Sequence, residues 1–89
     1  MDNETLKNIK ARCDAATIGP WISFIEGRNH ESGSNFIKTG ALGTENEDIE
    51  ISGGTMADQD FIAGARQDIP MLLEEIAKLQ ELLKTKKQT

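Results

Sequence analysis

The chain has 89 residues, the size of one small domain near the lower limit at which a core is stable without help. We therefore expect residues 1–89 to form a single domain that associates with itself. The formal charge of −5 argues against a protein whose main role is binding DNA or RNA, because binding a polyanion depends on lysine and arginine. Cys13 is alone, which excludes an internal disulfide. No apolar run approaches the ~18 residues of a membrane span, and the acidic N-terminus does not resemble a signal peptide, so we expect a cytoplasmic protein.

Residues 1–20 predict a helix followed by a turn. From about Asn3 onward, apolar residues recur at helical spacing, namely Leu6, Ile9, Cys13 and Ala16. We expect this helix to end near Thr17, because Gly19 suits a left-handed C-terminal cap and Pro20 prevents continuation.

Residues 21–53 predict a three-stranded antiparallel meander. The segments 21–27, 34–40 and 47–53 are short, rich in strand-forming residues and bounded by glycines. Only the third alternates cleanly, with Ile49 and Ile51 on one face and Glu50 and Ser52 on the other. The first two are apolar on both faces, which indicates a second buried surface such as a subunit contact or a ligand face.

Residues 55–85 predict a helix, a kink and a second helix. Thr55 is the expected N-cap with Asp58 completing a capping box, and an apolar stripe follows at Phe61, Ile62 and Ala65. We expect Asp68 to cap a second helix that Pro70 opens, since the missing N–H of a first-turn proline costs little. Apolar residues then fall three and four apart, at Ile69, Leu72, Ile76, Leu79 and Leu83, and Leu73 and Leu82 widen the stripe. This last helix is long enough to serve oligomerisation, and residues 86–89 are expected to fray.

Two loops are candidate ligand sites. Gly53, Gly54 and Thr55 lie between a strand and a helix, where exposed N–H groups and the helix dipole can hold a phosphate or carboxylate. A plain turn before a capped helix is the favoured explanation, because Asp58 and Asp60 would repel an anion there and the spacing matches no nucleotide-binding fingerprint. The loop 27–34 is longer than a tight hairpin requires, so Arg28 and His30 could recognise a polar ligand, the alternative being a solvated loop.

Arg66 allows two interpretations. As a structural residue, it complements a helix C-terminus and forms a salt bridge with Asp68 that fixes the kink. As a binding residue, it presents its guanidinium to a ligand phosphate, with Trp21 or Phe61 stacking nearby.

Catalysis and metal binding are not expected. Glu26, His30 and Glu31 could supply acid and base groups, but no nucleophile motif, paired carboxylates or cofactor loop accompanies them. With one histidine and one distant thiol, no set of residues has metal-ligand spacing, and no cofactor is implied.

Two segments of the chain do resemble known proteins. "AATIGPW" (15–21), followed some forty residues later by "DQDFIAGARQDIPMLLEEIAKLQ", is similar to small phage and prophage proteins that pair an "ATPGPW"-like element with a "DADFIAxARxDxPxLLxEI"-like element. These include relatives of lambdoid early-region proteins. Ile18 stands where the element usually has proline. The resemblance implies an accessory gene of a mobile element and carries no activity with it.

We therefore expect a non-enzymatic phage or prophage accessory protein. The preferred hypothesis is counter-defence by sequestration of a small nucleotide immune signal, such as a cyclic ADP-ribose variant or a cyclic oligonucleotide. The alternative is a protein-binding module or structural oligomer that docks a host protein through the C-terminal helix or the sheet. The expected partners are a second copy, a small anionic nucleotide and a host defence protein, with neither a nucleic-acid polymer nor a membrane among them.

Overall fold

The computed structural model describes residues 1–28, 31, 33–40 and 48–87, and these form an α+β fold. In chain order the elements are helix α1 (Asn3–Ala15), strands β1 (Ile22–Phe24), β2 (Asn35–Lys38) and β3 (Ile49–Ile51), and helix α2 (Met56–Lys87). The strands form one antiparallel sheet in the order β1-β2-β3, which confirms the predicted meander. The described part of the chain contains two helices, not the three that were predicted.

Helix α1 is capped as a short amphipathic helix should be, but its end differs from the prediction. The Asp2 carboxylate accepts a 2.8 Å hydrogen bond from the Thr5 N–H and satisfies one of the unpaired donors of the first turn. The helix ends at Ala15, and its C-cap, Ala16, has extended backbone geometry. Gly19 is not in the left-handed region, so the predicted glycine cap is wrong. The glycine serves a close approach to α2, described below.

The sheet places its most buried side chains against α2. Ser23 pairs with Ile37 across β1 and β2, and Ile37 is fully buried, as is Ile25 just after β1. Ala63 of α2 is also buried, and its small side chain allows the helix to approach the strands closely. On the other face Phe24 and Phe36 stack with ring centroids 5.1 Å apart, which accounts for the apolar character of both faces of the first two strands.

Helix α2 begins as predicted. The Thr55 N–H donates to the Asp58 carboxylate at 2.9 Å, and the Asp58 N–H donates to the Thr55 hydroxyl at 3.0 Å. This reciprocal pair is the predicted capping box, and it satisfies two donors at the helix start.

The predicted break at residues 66–68 is wrong, because α2 runs continuously through Pro70. Asp68 lies inside the helix and caps nothing. A proline in a helix interior costs about 3 kcal/mol, since its nitrogen cannot donate to the carbonyl four residues earlier. Helix α1 lies beside α2 on both sides of the proline, because Cys13 lines one cleft together with Arg66 before Pro70 and Leu73 after it. We attribute the tolerance of the proline to this long-range contact.

The apolar stripe noted at the start of α2 is not the face that meets the sheet. Its members Phe61 and Ile62 are 76% and 45% exposed. Gln59 and Ala63 face the sheet and Gln67 faces the turn before it, and the three lie four apart along one side of the helix. Gln59 is 1% exposed, and its Nε2 donates to the Phe24 and Phe36 carbonyls at 3.1 and 3.0 Å.

The C-terminal end of α2 extends further than predicted. Helical structure continues through Lys87, two residues beyond the predicted end at 85, while residues 88 and 89 lie outside the described part of the chain. Among the described residues, neither helix combines the length and the apolarity that crossing a bilayer requires.

Candidate functional site

The turn at residues 19–21 lies directly against the middle of α2. The Trp21 N–H donates to Gln67 Oε1 at 2.8 Å, and Gln67 Nε2 donates to the Trp21 carbonyl at 3.2 Å and to the Ala63 carbonyl at 3.1 Å. A Cβ atom at Gly19 would lie 3.2 Å from Gln67 Oε1, which is tighter than ordinary contact. Glycine at this position therefore allows the turn to approach α2 closely enough for the glutamine to bond to it.

Arg66 and Trp21 meet at one carbonyl oxygen. Arg66 Nε donates to the Thr17 carbonyl at 2.9 Å, and the indole Nε1 of Trp21 donates to the same oxygen at 3.0 Å. Among the described residues, none accepts a hydrogen bond from the two terminal nitrogens of Arg66, and Asp68 does not form an ion pair with it. Helix α2 does not end at Arg66, so the predicted role at a helix C-terminus is wrong, but the hydrogen bond to Thr17 is itself a structural contact that ties the end of α1 to α2.

Arg66 lines a cleft between α1, the 19–21 turn and α2. The cleft has a volume of about 850 Å³, within the range of small-molecule sites. Its walls are mainly apolar and include Ile18, Pro20, Met71 and Leu73. Its remaining side chains are few and polar, so a ligand in it would be oriented by a small number of groups.

The charged residues that line the cleft are not equivalent. Lys10 Nζ and the Asp14 carboxylate are 2.9 Å apart, so these two charges neutralise each other at the rim. Arg66 and Glu74 line the same cleft without an ion-pair partner among the described residues. The cleft therefore offers one cationic fork and one carboxylate to whatever enters it.

Arg28 is engaged elsewhere. Its terminal nitrogens bond to both oxygens of Asp60 at 3.0 and 2.8 Å, in the bidentate geometry that suits a guanidinium and a carboxylate. These hydrogen bonds lower the pKa of Asp60 to about 2. The buried Ser23 hydroxyl also faces Asp60, in a geometry short of a full hydrogen bond, and contributes a smaller lowering of this pKa. The pair joins the loop after β1 to α2.

Gly53, Gly54 and Thr55 lie at the start of α2, where the Asp58 carboxylate already accepts the Thr55 N–H at 2.9 Å. Gly54 has a φ of +78°, a conformation that favours glycine, and a Cβ there would come within 3.0 Å of the same carboxylate. An internal anion thus occupies the position at which an external phosphate was considered.

Among the predicted ligand residues that the structure describes, Trp21 and Arg66 meet at the Thr17 carbonyl, and Arg66 lines the α1–α2 cleft whereas Trp21 does not. Phe61 precedes Arg66 by more than one helical turn and is 76% exposed. Neither it, Arg28 nor the 53–55 segment lines the α1–α2 cleft. His30 lies outside the described residues.

Sequence reasoning missed the two glutamines. Gln59 and Gln67 look like ordinary polar residues on the outer face of a helix, but they are eight apart with Ala63 midway. That spacing places all three on one side of a helix, and a small residue between two amides is a signal of close contact with another backbone.

No protein-family model matches the chain, and neither a curated protein nor a solved structure matches it.

Proposed function

We propose that this chain is a non-enzymatic accessory protein of a phage or prophage that captures a small nucleotide in the α1–α2 cleft. One observation carries the proposal: Arg66 is fixed through Nε to the Thr17 carbonyl, and no described residue accepts from its terminal nitrogens. A guanidinium held in this way loses little freedom when it binds a phosphate bidentately.

The rest of the cleft supports a nucleotide over a simple anion. The Glu74 carboxylate accepts hydrogen bonds only, which suits ribose hydroxyls or an exocyclic amine, whereas it would repel a bare phosphate. Apolar walls at Ile18, Met71 and Leu73 suit the uncharged remainder of such a ligand. A cyclic ADP-ribose variant or a cyclic dinucleotide has both kinds of group.

The proposed phage or prophage origin rests on the sequence resemblance of two segments, and these two segments lie against each other in the fold. The two segments that carry the phage-like pattern contact each other where Arg66 of the second donates to the Thr17 carbonyl of the first. Gln67, which bonds to Trp21, stands at a position that the pattern leaves open. Residues that form one site and one turn are expected to occur together in related sequences, even when the strands between them vary.

Titration calorimetry tests the proposal. Wild-type protein is titrated with cyclic ADP-ribose isomers, cyclic dinucleotides and AMP, and at least one of the cyclic compounds is expected to bind. Arg66→Ala should weaken this binding roughly 10- to 100-fold, which corresponds to one charge-assisted contact of about 1.5–3 kcal/mol. Arg66→Lys should also weaken it because the planar fork is lost. Lys84→Ala removes an exposed cation far along α2 and is the matched control, which should bind as wild type does. Failure of the whole panel to bind would refute the proposal.

A second candidate function is docking of a host protein. The observation that favours it is the exposure of two neighbouring apolar side chains of α2, Phe61 and Ile62, at 76% and 45%. Large exposed apolar side chains that are grouped together mark interaction sites. Recovery of one bacterial protein at stoichiometric yield by wild type, and its loss with Phe61→Asp, would support this candidate over ligand capture.

A further inference from the structure

The leucines near the C-terminal end of α2 are largely uncovered by the described part of the chain. Leu79, Leu82 and Leu83 are 52%, 62% and 60% exposed, and none of them lines a cleft with α1. Leu79 and Leu83 continue a strict heptad that we call the heptad stripe, with residues three and four apart: Ile69, Leu72, Ile76, Leu79 and Leu83. This spacing is typical of a helix that packs along another helix.

The surface area of the chain indicates how much of it is left uncovered. A compact monomer of 9.8 kDa is expected to expose roughly 5,200 Å², whereas this chain exposes 6782 Å². The radius of gyration is 17.1 Å, against about 12 Å for a compact domain of this length. The excess of roughly 1,600 Å² is about twice the roughly 800 Å² that each partner buries in a standard interface. One more chain on this face would therefore cover about half of it.

A groove beside the heptad stripe provides the complementary surface. It runs between the two helices on the side of α1 opposite the Arg66 cleft, and it has a volume of about 350 Å³. Apolar side chains dominate its lining, among them Leu6, Ile9, Leu72 and Ile76. A helix of matching apolar character fits such a seam between two helices.

Charge along α2 determines the direction of the incoming helix. The first half of the heptad stripe is flanked by Asp68, Glu74 and Glu75, and the second half by Lys78, Lys84 and Lys86 with Glu81 among them. Antiparallel pairing places the acidic half of one helix beside the basic half of the other. Parallel pairing would place like charges together over the whole length.

We propose that the occupant of this groove is a second copy of the chain, in a two-fold antiparallel dimer. Leu83 of one copy lies against Leu72 of the other, and Leu79 lies against Ile76, each pair occurring twice. The two α2 helices and the two α1 helices then form a four-helix bundle. The Arg66 cleft is on the far side of α1 and stays open, so the dimer does not depend on ligand capture.

Oligomeric state is the first test. Light scattering should give the dimer mass for wild type and the monomer mass for Leu79→Asp, because the substitution places two carboxylates in the centre of the interface. Thr85→Asp adds the same charge two residues beyond Leu83, on a different side of the helix, and should stay dimeric. Circular dichroism of both variants should show retained helix. A wild-type chain that is monomeric at every concentration overturns the proposal. This outcome includes the case in which a host protein, and not a second copy, covers the heptad stripe.

Disulfide trapping tests the orientation without relying on a disruptive variant. In a Cys13→Ser background, Leu72→Cys and Leu83→Cys proteins are oxidised separately and as a mixture. Antiparallel pairing separates two copies of residue 83 by roughly 16 Å along the helix axis, beyond the ~7 Å Cα separation that a disulfide spans. Only the mixture should therefore form a covalent dimer. A covalent dimer from Leu83→Cys alone would show parallel pairing and overturn the arrangement, as would the absence of a covalent dimer from the mixture.

Discussion

Replacement of Gln59 tests how α2 is joined to the sheet. The side chain is 1% exposed and donates to two strand carbonyls, those of Phe24 and Phe36. Loss of two buried hydrogen bonds costs about 2 kcal/mol, and removal of the buried side-chain carbon atoms adds about 1 kcal/mol, so Gln59→Ala should lower the free energy of unfolding by about 3 kcal/mol. For a domain of this size that corresponds to a fall in Tm of roughly 12–24 °C.

Thermal unfolding followed by circular dichroism at one fixed protein concentration measures the effect. Gln80→Ala makes the same chemical change at an exposed position of the same helix and should alter the free energy of unfolding by no more than about 0.5 kcal/mol. Gln59→Met keeps the length of the side chain but removes its hydrogen-bond donors. It should therefore lower the free energy of unfolding by most of the amount expected for Gln59→Ala. If Gln59→Ala and Gln80→Ala unfold at the same temperature, or if Gln59→Met matches wild type, the amide does not hold the sheet as described.

Three further predictions concern the contacts around the site. Gln67→Leu removes three hydrogen bonds at the turn and should destabilise the chain by about 2–3 kcal/mol. The fluorescence of Trp21, the only tryptophan, should shift as well, and an unchanged spectrum would contradict this prediction. Because its pKa is lowered, Asp60 adds stability that is complete above pH ~3.8 and is lost as the pH falls through about 2. The difference in stability between wild type and Asp60→Asn should therefore be constant from pH 7 to about 4 and vanish below. A difference that persists in acid would refute the ion pair as its source. Gly19→Ala places a Cβ 3.2 Å from Gln67 Oε1 and should lower the free energy of unfolding. Gly53→Ala places a Cβ with nothing within 4 Å and should leave the free energy of unfolding unchanged or raise it slightly. Equal effects of the two substitutions in chemical denaturation would argue against the close approach at the turn.

The elements that local chemistry determines could be predicted from the sequence. The three strands were recognisable from β-prone segments between glycines, and the start of α2 from the Thr55 and Asp58 pair, because these signals involve residues that are neighbours in the chain. The continuity of α2 through Pro70 could not be predicted in this way. It depends on α1 packing on both sides of the proline, a long-range contact that outweighs the local preference.

The candidate site was only partly predictable for the same reason. Trp21 and Arg66 stood out as large, chemically distinct residues in two unusual segments, and the structure joins them at the Thr17 carbonyl. The cleft itself was not predictable, because it is formed by α1 residues whose pairing with α2 has no sequence signature. Gln67 was missed because a glutamine that bonds to a distant backbone looks the same in sequence as one in solvent.

The central claim is that the terminal nitrogens of Arg66 bind the anionic group of a nucleotide in the α1–α2 cleft. Nuclear magnetic resonance titration tests it most directly, because the Arg66 Nε–H and the Trp21 Nε1–H both donate to the Thr17 carbonyl and give separate signals. Addition of a cyclic nucleotide that binds is predicted to shift both signals, together with the backbone amides of Ile18 and Glu74, while the amide of Lys84 stays in place. A ligand that binds without moving the Arg66 signal, or a full panel that moves none of them, would contradict the claim.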